Sequence, residues 1–140
     1  MHRSESVVVD TNVALDLLLF ADPAAARLAQ ALSDGRLHWC ASLAMREELS
    51  RVLSYPHLAR RLHRQAREAA DVLADFDRRV QVVAPAPRAS FVCKDPDDQK
   101  FIDLAAAHRA LLLSKDAQVL CMARRLSRLG VRVVRHWDGA

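Results

Sequence analysis

Four acidic residues stand where carboxylates can do chemistry: Asp10, Glu48, Asp98 and Asp116. Asp10 closes the β-branched run Val7-Val8-Val9, and Asp116 follows Leu111-Leu112-Leu113-Ser114 by two residues. Both fall just past the carboxyl end of a strand, where parallel sheets place their ligand crevice. Asp98 lies in the first turn of a helix capped by Asp95 and opened by Pro96, so it is not needed as the cap. Phe101, Ile102 and Ala105, at i+3, i+4 and i+7, put Asp98 on the inward stripe, where an acid is costly without a task or a partner. In residues 42–55 the stripe is Met45, Leu49, Val52 and Leu53; at ~100° per residue Glu48 falls at its edge and Glu47 nearly opposite. Glu48 can reach a crevice, whereas Glu47, four residues before Arg51, has the spacing of a surface ion pair.

Taken singly, Asp10 and Asp116 read equally well as helix N-caps, Asp98 as an acid facing the helix dipole, and Glu48 as a solvated charge. Taken together, carboxylates about 4 Å apart would repel by ~1–4 kcal/mol per pair. Such a cluster must bind a cation or hold protons. Hard oxygen donors with incomplete protein coordination suit Mg²⁺ or Mn²⁺, and the reaction class that follows is phosphodiester hydrolysis by metal-activated water.

These acids need elements to position them. The spacing predicts strands at residues 7–9, 37–41, 80–84, 111–114 and 131–134, alternating with helices. The helices are predicted from Val13 onward and over 23–34, 42–55, 57–79, 95–110 and 117–129, with Gly35 ending the second. The strand runs are continuously apolar, as a parallel sheet covered on both faces requires, so the fold class is α/β. Residues 84–94, which include Pro85 and Pro87, are the one stretch expected to be mobile.

The 140 residues are read as one domain, 1–140. A hydrophobic fraction of 51% with 27% charged excludes global disorder. Three scattered glycines exclude the glycine-rich phosphate loops of Walker A and dinucleotide sites. Cys40, Cys93 and Cys121 form neither a disulfide framework nor a zinc knuckle, and the six histidines include no zinc-hydrolase spacing. The opening MHRSESVVVD is too short for a signal-peptide core and no stretch approaches a membrane span, so a cytoplasmic location with no membrane contact is expected. The net charge of +4 permits nucleic-acid contact without demanding it.

The segments VVVDTNV, EELSRVL, DPDDQKFIDLA and LLLSKDAQVL, in this order, resemble the PIN-domain ribonucleases, within them the bacterial toxin components of toxin–antitoxin systems related to the VapC toxins. The likeness runs from about Val7 to Val134. It implies a three-layer α/β/α fold with five parallel strands in order 3-2-1-4-5, endoribonuclease activity on RNA, frequent homodimers and inhibition by a small antitoxin. It also implies that Asp10, Glu48, Asp98 and Asp116 form an acidic quartet holding one or two Mg²⁺ or Mn²⁺ ions, with Thr11, Asn12 and Ser114 orienting water, metal or phosphate beside them. Gln118 stands where relatives often carry a further acid.

Around that core other readings stay open. Lys115, between Ser114 and Asp116, is placed to contact a phosphate or to be a plain surface lysine. Arg60, Arg61, Arg64, Arg67, Arg78 and Arg79 form an RNA-binding face, a solvated face with arginines lying over apolar neighbours, or an antitoxin contact. A non-catalytic PIN-like module binding RNA or protein is one alternative function. An aspartate-nucleophile phosphatase built on Asp10-Thr11-Asn12-Val13 is another, weakened because Asn12 cannot deliver a proton as a general acid. Cleavage of RNA, or of small phosphomonoesters, separates the three.

Overall fold

The computed structural model describes residues 5–139. Five strands, β1 (Glu5–Val9), β2 (Leu37–Ala41), β3 (Val80–Val82), β4 (Leu111–Leu113) and β5 (Arg132–Val134), form one sheet in the order β3-β2-β1-β4-β5. Every pairing is parallel, with Val7 opposite Trp39 on one side and Leu111 on the other. Consecutive strand residues point to opposite faces, yet Val7, Val8 and Val9 are all buried, as are Leu111, Leu112 and Leu113. Helices therefore cover both faces, which gives the three-layer α/β/α arrangement expected from the unbroken apolar runs. The chain builds outward from β1 to β3, then returns to the other side of β1 to lay down β4 and β5. Strand order reverses between β1 and β4, where the loops part and leave a crevice.

The helices are α1 (Thr11–Leu15), α2 (Ala26–Ser33), α3 (Leu43–Leu53), α4 (Pro56–Arg64), α5 (Ala69–Arg79), α6 (Pro96–His108), α7 (Ala117–Leu120) and α8 (Ala123–Ser127). Proline at the first helical position and an Asp22 or Asp95 cap open the turn before α2 and helix α6, as their sequences require. Trp39 and Phe76 meet edge to face at 5.3 Å, joining β2 to α5 within the core.

The structure departs from the sequence reading in several places, each with a local cause. The single helix expected over 57–79 is two, broken where Ala66 adopts a left-handed conformation (φ 54°) and Glu68 and Asp71 form a reciprocal capping box for α5. The break has a use. α1 continues into a π-helical turn, Asp16–Phe20, and Gln65 Nε2 and Arg67 Nη1 donate to the Leu19 and Leu18 carbonyls at 3.1 and 3.0 Å. Residues 117–129 likewise divide into α7 and α8 rather than one helix. Arg61 lies over the Phe20 ring, Arg46 is bidentate to Asp77, and Arg78 and Arg79 share Asp75, so much of the basic surface is internally engaged. The Glu47–Arg51 pair does not form among the described residues.

Residues 84–94 are strapped to α6. Buried Gln99 accepts from the Cys93 amide at 2.6 Å and donates to the Phe91 carbonyl at 3.1 Å, while Asp103 accepts from the Ala89 amide at 2.8 Å. The first four residues of the N-terminal stretch lie outside the described residues; of those described, no helix is long and apolar enough to cross a membrane.

A left-handed alanine carries a steric cost that glycine does not. Ala66→Gly is therefore expected to raise stability by about 0.5–1 kcal/mol in urea unfolding, and a loss of stability would contradict the conformation that separates α4 from α5.

Candidate metal centre

Asp10 directly follows β1, and Ser114 directly follows the neighbouring strand β4. The Asp10 amide donates to the Leu113 carbonyl at 3.0 Å, so the ladder runs one residue past the strands and fixes both side chains. Asp10 is 4% exposed and Ser114 fully buried. One Asp10 oxygen accepts from the Val13 amide at 2.9 Å, capping α1, and the other accepts from the Ser114 hydroxyl at 2.6 Å. That hydroxyl in turn accepts from the Asp116 amide at 3.1 Å. A chain of hydrogen bonds thus runs from Asp10 beneath the crevice to the backbone of Asp116 at its rim. Burial raises the Asp10 pKa, opposed by the Ser114 and Val13 hydrogen bonds and by Lys115.

Three carboxylates meet above this base. Asp95, Asp98 and Asp116 each offer an oxygen, and these oxygens lie within 4.8 Å of one another. Asp95 and Asp98 come from the first turn of α6, three residues apart and hence on one face; Asp116 caps α7. Asp95 Oδ1 accepts from the Asp97 amide at 2.9 Å, and Asp116 Oδ1 from the Gln118 amide at 2.7 Å. Asp98 differs, since its Oδ2 is buried without a hydrogen-bond partner. Desolvation, then a hydrogen bond with Asp116 and the charges of Asp116, Asp95 and Asp10, push its pKa up to about 7.

The remaining sequence candidates are placed as follows. Glu48 is half-buried on α3, but both of its oxygens are engaged, Oε2 by the Thr11 hydroxyl and Oε1 by Lys100 Nζ at 2.7 Å. It is not one of the three converging carboxylates. Asn12 is exposed and its side chain makes no hydrogen bond among the described residues. Lys115 Nζ is 2.6 Å from Asp16 Oδ2, so a phosphate contact would require it to leave that carboxylate.

Sequence reasoning passed over Asp95, Lys100 and Asp16. Asp95 was assigned to capping, and capping does not consume a carboxylate, because its other oxygen stays available. The i, i+3 spacing of Asp95 and Asp98 was the signal for it. Lys100 and Asp16 reach their partners across 52 and 99 residues of sequence, so no local pattern could have marked them.

The donor set fits a divalent cation. Three hard carboxylates converge, one presents an orphaned buried oxygen, and the repulsion among them is what a 2+ charge relieves.

Comparison with known proteins followed from this geometry. A family model described as PIN domain matches residues 6–118, most of the chain. No curated protein matches the sequence significantly. A chain in the crystal structure of VapBC2 from Rickettsia felis, bound to a DNA fragment from their promoter, superposes with a TM-score of 0.63. The alignment covers 92% of this chain and 97% of that one at 12% identity, so the likeness is one of fold.

The raised Asp98 pKa carries a signed consequence. From about pH 4, where an unfolded carboxyl loses its proton, up to about pH 7 the folded metal-free chain retains a proton that the unfolded chain has lost. Stability from this group is complete below that window and is lost as pH rises through it. Asp98→Asn should remove the slope and stabilise the metal-free protein at pH 7.5 by about 1 kcal/mol once solvent screening is allowed for. Urea midpoints measured from pH 4 to 8 check this, and an unchanged slope in the variant would contradict it.

Proposed function

The chain belongs to the PIN domain family, and from that premise we propose that it is a divalent-metal-dependent endoribonuclease acting as the toxin of a bacterial toxin–antitoxin pair. The observation that carries the reading is the convergence of Asp95, Asp98 and Asp116, with an orphaned oxygen on Asp98, at the point where strand order reverses. Mg²⁺ or Mn²⁺ is the proposed ion, for which the all-carboxylate set is chemically suited.

In this reading Asp98 and Asp116 are the principal ligands and Asp95 the third, while Asp10 supports them from below through Ser114. Asp10 and Ser114 are buried and mutually bonded, so they hold the rim at fixed spacing before any ligand arrives. Glu48 completes the acidic surround, held by Thr11 and Lys100. A bound divalent ion would supply Lewis-acid polarisation of a phosphoryl oxygen and lower the pKa of a water, the chemistry that phosphodiester hydrolysis needs. The protein's part is to orient: three carboxylates aimed at one point leave the solvent side of the crevice for the substrate.

An RNA substrate and a small antitoxin partner are proposed on the resemblance of the sequence to VapC-type toxins, supported by the fold shared with VapBC2, which was crystallised on promoter DNA. A homodimer and a cytoplasmic location are proposed on the same basis. The aspartate-nucleophile phosphatase is not favoured, because both Asp10 oxygens already accept hydrogen bonds within the fold.

The test is cleavage of single-stranded RNA by the purified protein with Mn²⁺, read on denaturing gels. Cleavage should stop on chelation, and Asp98→Asn or Asp116→Asn should cost more than the ~10–100-fold typical of losing an outer partner of a metal ligand. Binding without cleavage in either Mg²⁺ or Mn²⁺ would support a non-catalytic module instead.

A further inference from the structure

Lys100 is the one cation lodged inside the acidic crevice, and its surroundings are unusual for a lysine. Its ammonium lies 2.7 Å from Glu48 Oε1 and 2.7 Å from the Asp97 carbonyl oxygen, and 4.9 Å from the centre of the Phe101 ring. The side chain is 27% exposed and its Glu48 partner 13%. Two oxygens from different elements, α3 and α6, converge on a single positive charge, and one belongs to the residue next to Asp98. An oxygen-lined pocket beside a carboxylate cluster is a place for a cation, and here the protein supplies its own.

We propose that Lys100 occupies the position of a second divalent cation, so that the nuclease proposed above works with one metal ion and one lysine rather than two metal ions. The inference rests on that functional reading. With both of its oxygens engaged, by Thr11 and Lys100, Glu48 is the counter-ion of the lysine and not a ligand of the resident ion. That ion is left to Asp95, Asp98 and Asp116. Lys100 is a positioning residue: it fixes Glu48, and its permanent positive charge stands where a second metal would otherwise offset the negative charge of a phosphate. Charge accounting agrees, because an ammonium already neutralises the carboxylate that a second ion would have to capture.

Lysine differs from a metal in ways that can be counted. Titration of the full-length protein with Mn²⁺, followed calorimetrically and by the loss of the free-ion electron paramagnetic signal, should give one bound ion per chain. Glu48→Gln should keep that ion. Lys100→Ala, which frees Glu48 and the Asp97 carbonyl, should bind two, and Lys100→Arg should return to one. Cooperative thermal unfolding of each variant shows that it is folded before counting, and should Lys100→Ala not fold, the wild-type and Glu48→Gln counts decide alone. Two ions in the wild type, loss of the ion in Glu48→Gln, or a single ion in folded Lys100→Ala would overturn the proposal. No ion in the wild type would overturn the metal-dependent reading itself and this inference with it.

Discussion

Three carboxylates whose oxygens lie within 4.8 Å of one another cannot all be charged and alone. The rest of the molecule is arranged around that constraint. The parallel sheet reverses direction between β1 and β4 and opens a crevice there; Asp10 and Ser114 plug its floor. Asp95 and Asp98 enter at the N-terminus of the thirteen-residue helix α6, whose dipole favours negative charge, and this offsets part of the repulsion. The remainder appears as a proton, the raised pKa of Asp98, or as an affinity for a cation. A site that must hold either a proton or a metal is poised to exchange one for the other.

The two lysines near the crevice show how the fold manages the same charge at its margins. Lys115 is tied to Asp16 and Lys100 to Glu48, at 2.6 and 2.7 Å. Neither pair is fully buried, so neither adds much to stability. Their effect is directional: they neutralise the outer acids and leave the unbalanced charge on Asp95, Asp98 and Asp116. The straps from Gln99 and Asp103 keep residues 84–94 against α6, which fixes where the Asp95 turn begins.

Much of this was legible in the sequence, and the reasons are physical. Unbroken apolar runs such as Val7-Val8-Val9 and Leu111-Leu112-Leu113 admit few environments other than a doubly covered parallel sheet, so the layers followed from composition alone. Asp10, Asp98 and Asp116 were visible because each sits at a strand end or helix start, where local pattern fixes position. Glu48 was placed on the correct edge of α3 by helical periodicity, but its partners were hidden, since Lys100 is 52 residues away. Asp95 was hidden differently. Its capping role was taken to exhaust it, although a carboxylate has two oxygens. The break at Ala66 escaped because a left-handed alanine has no sequence signature, and its purpose, satisfying the Leu18 and Leu19 carbonyls of a π-helical turn, exists only in the folded chain.

The central claim is that the crowded carboxylates are a divalent-cation site. Anomalous diffraction from crystals soaked in Mn²⁺ above pH 7, where Asp98 has released its proton, tests it most directly. The account predicts a single manganese peak bounded by Asp95, Asp98 and Asp116, with Lys100 still against Glu48. No peak there at saturating Mn²⁺, or a peak seated elsewhere on the protein, would contradict it.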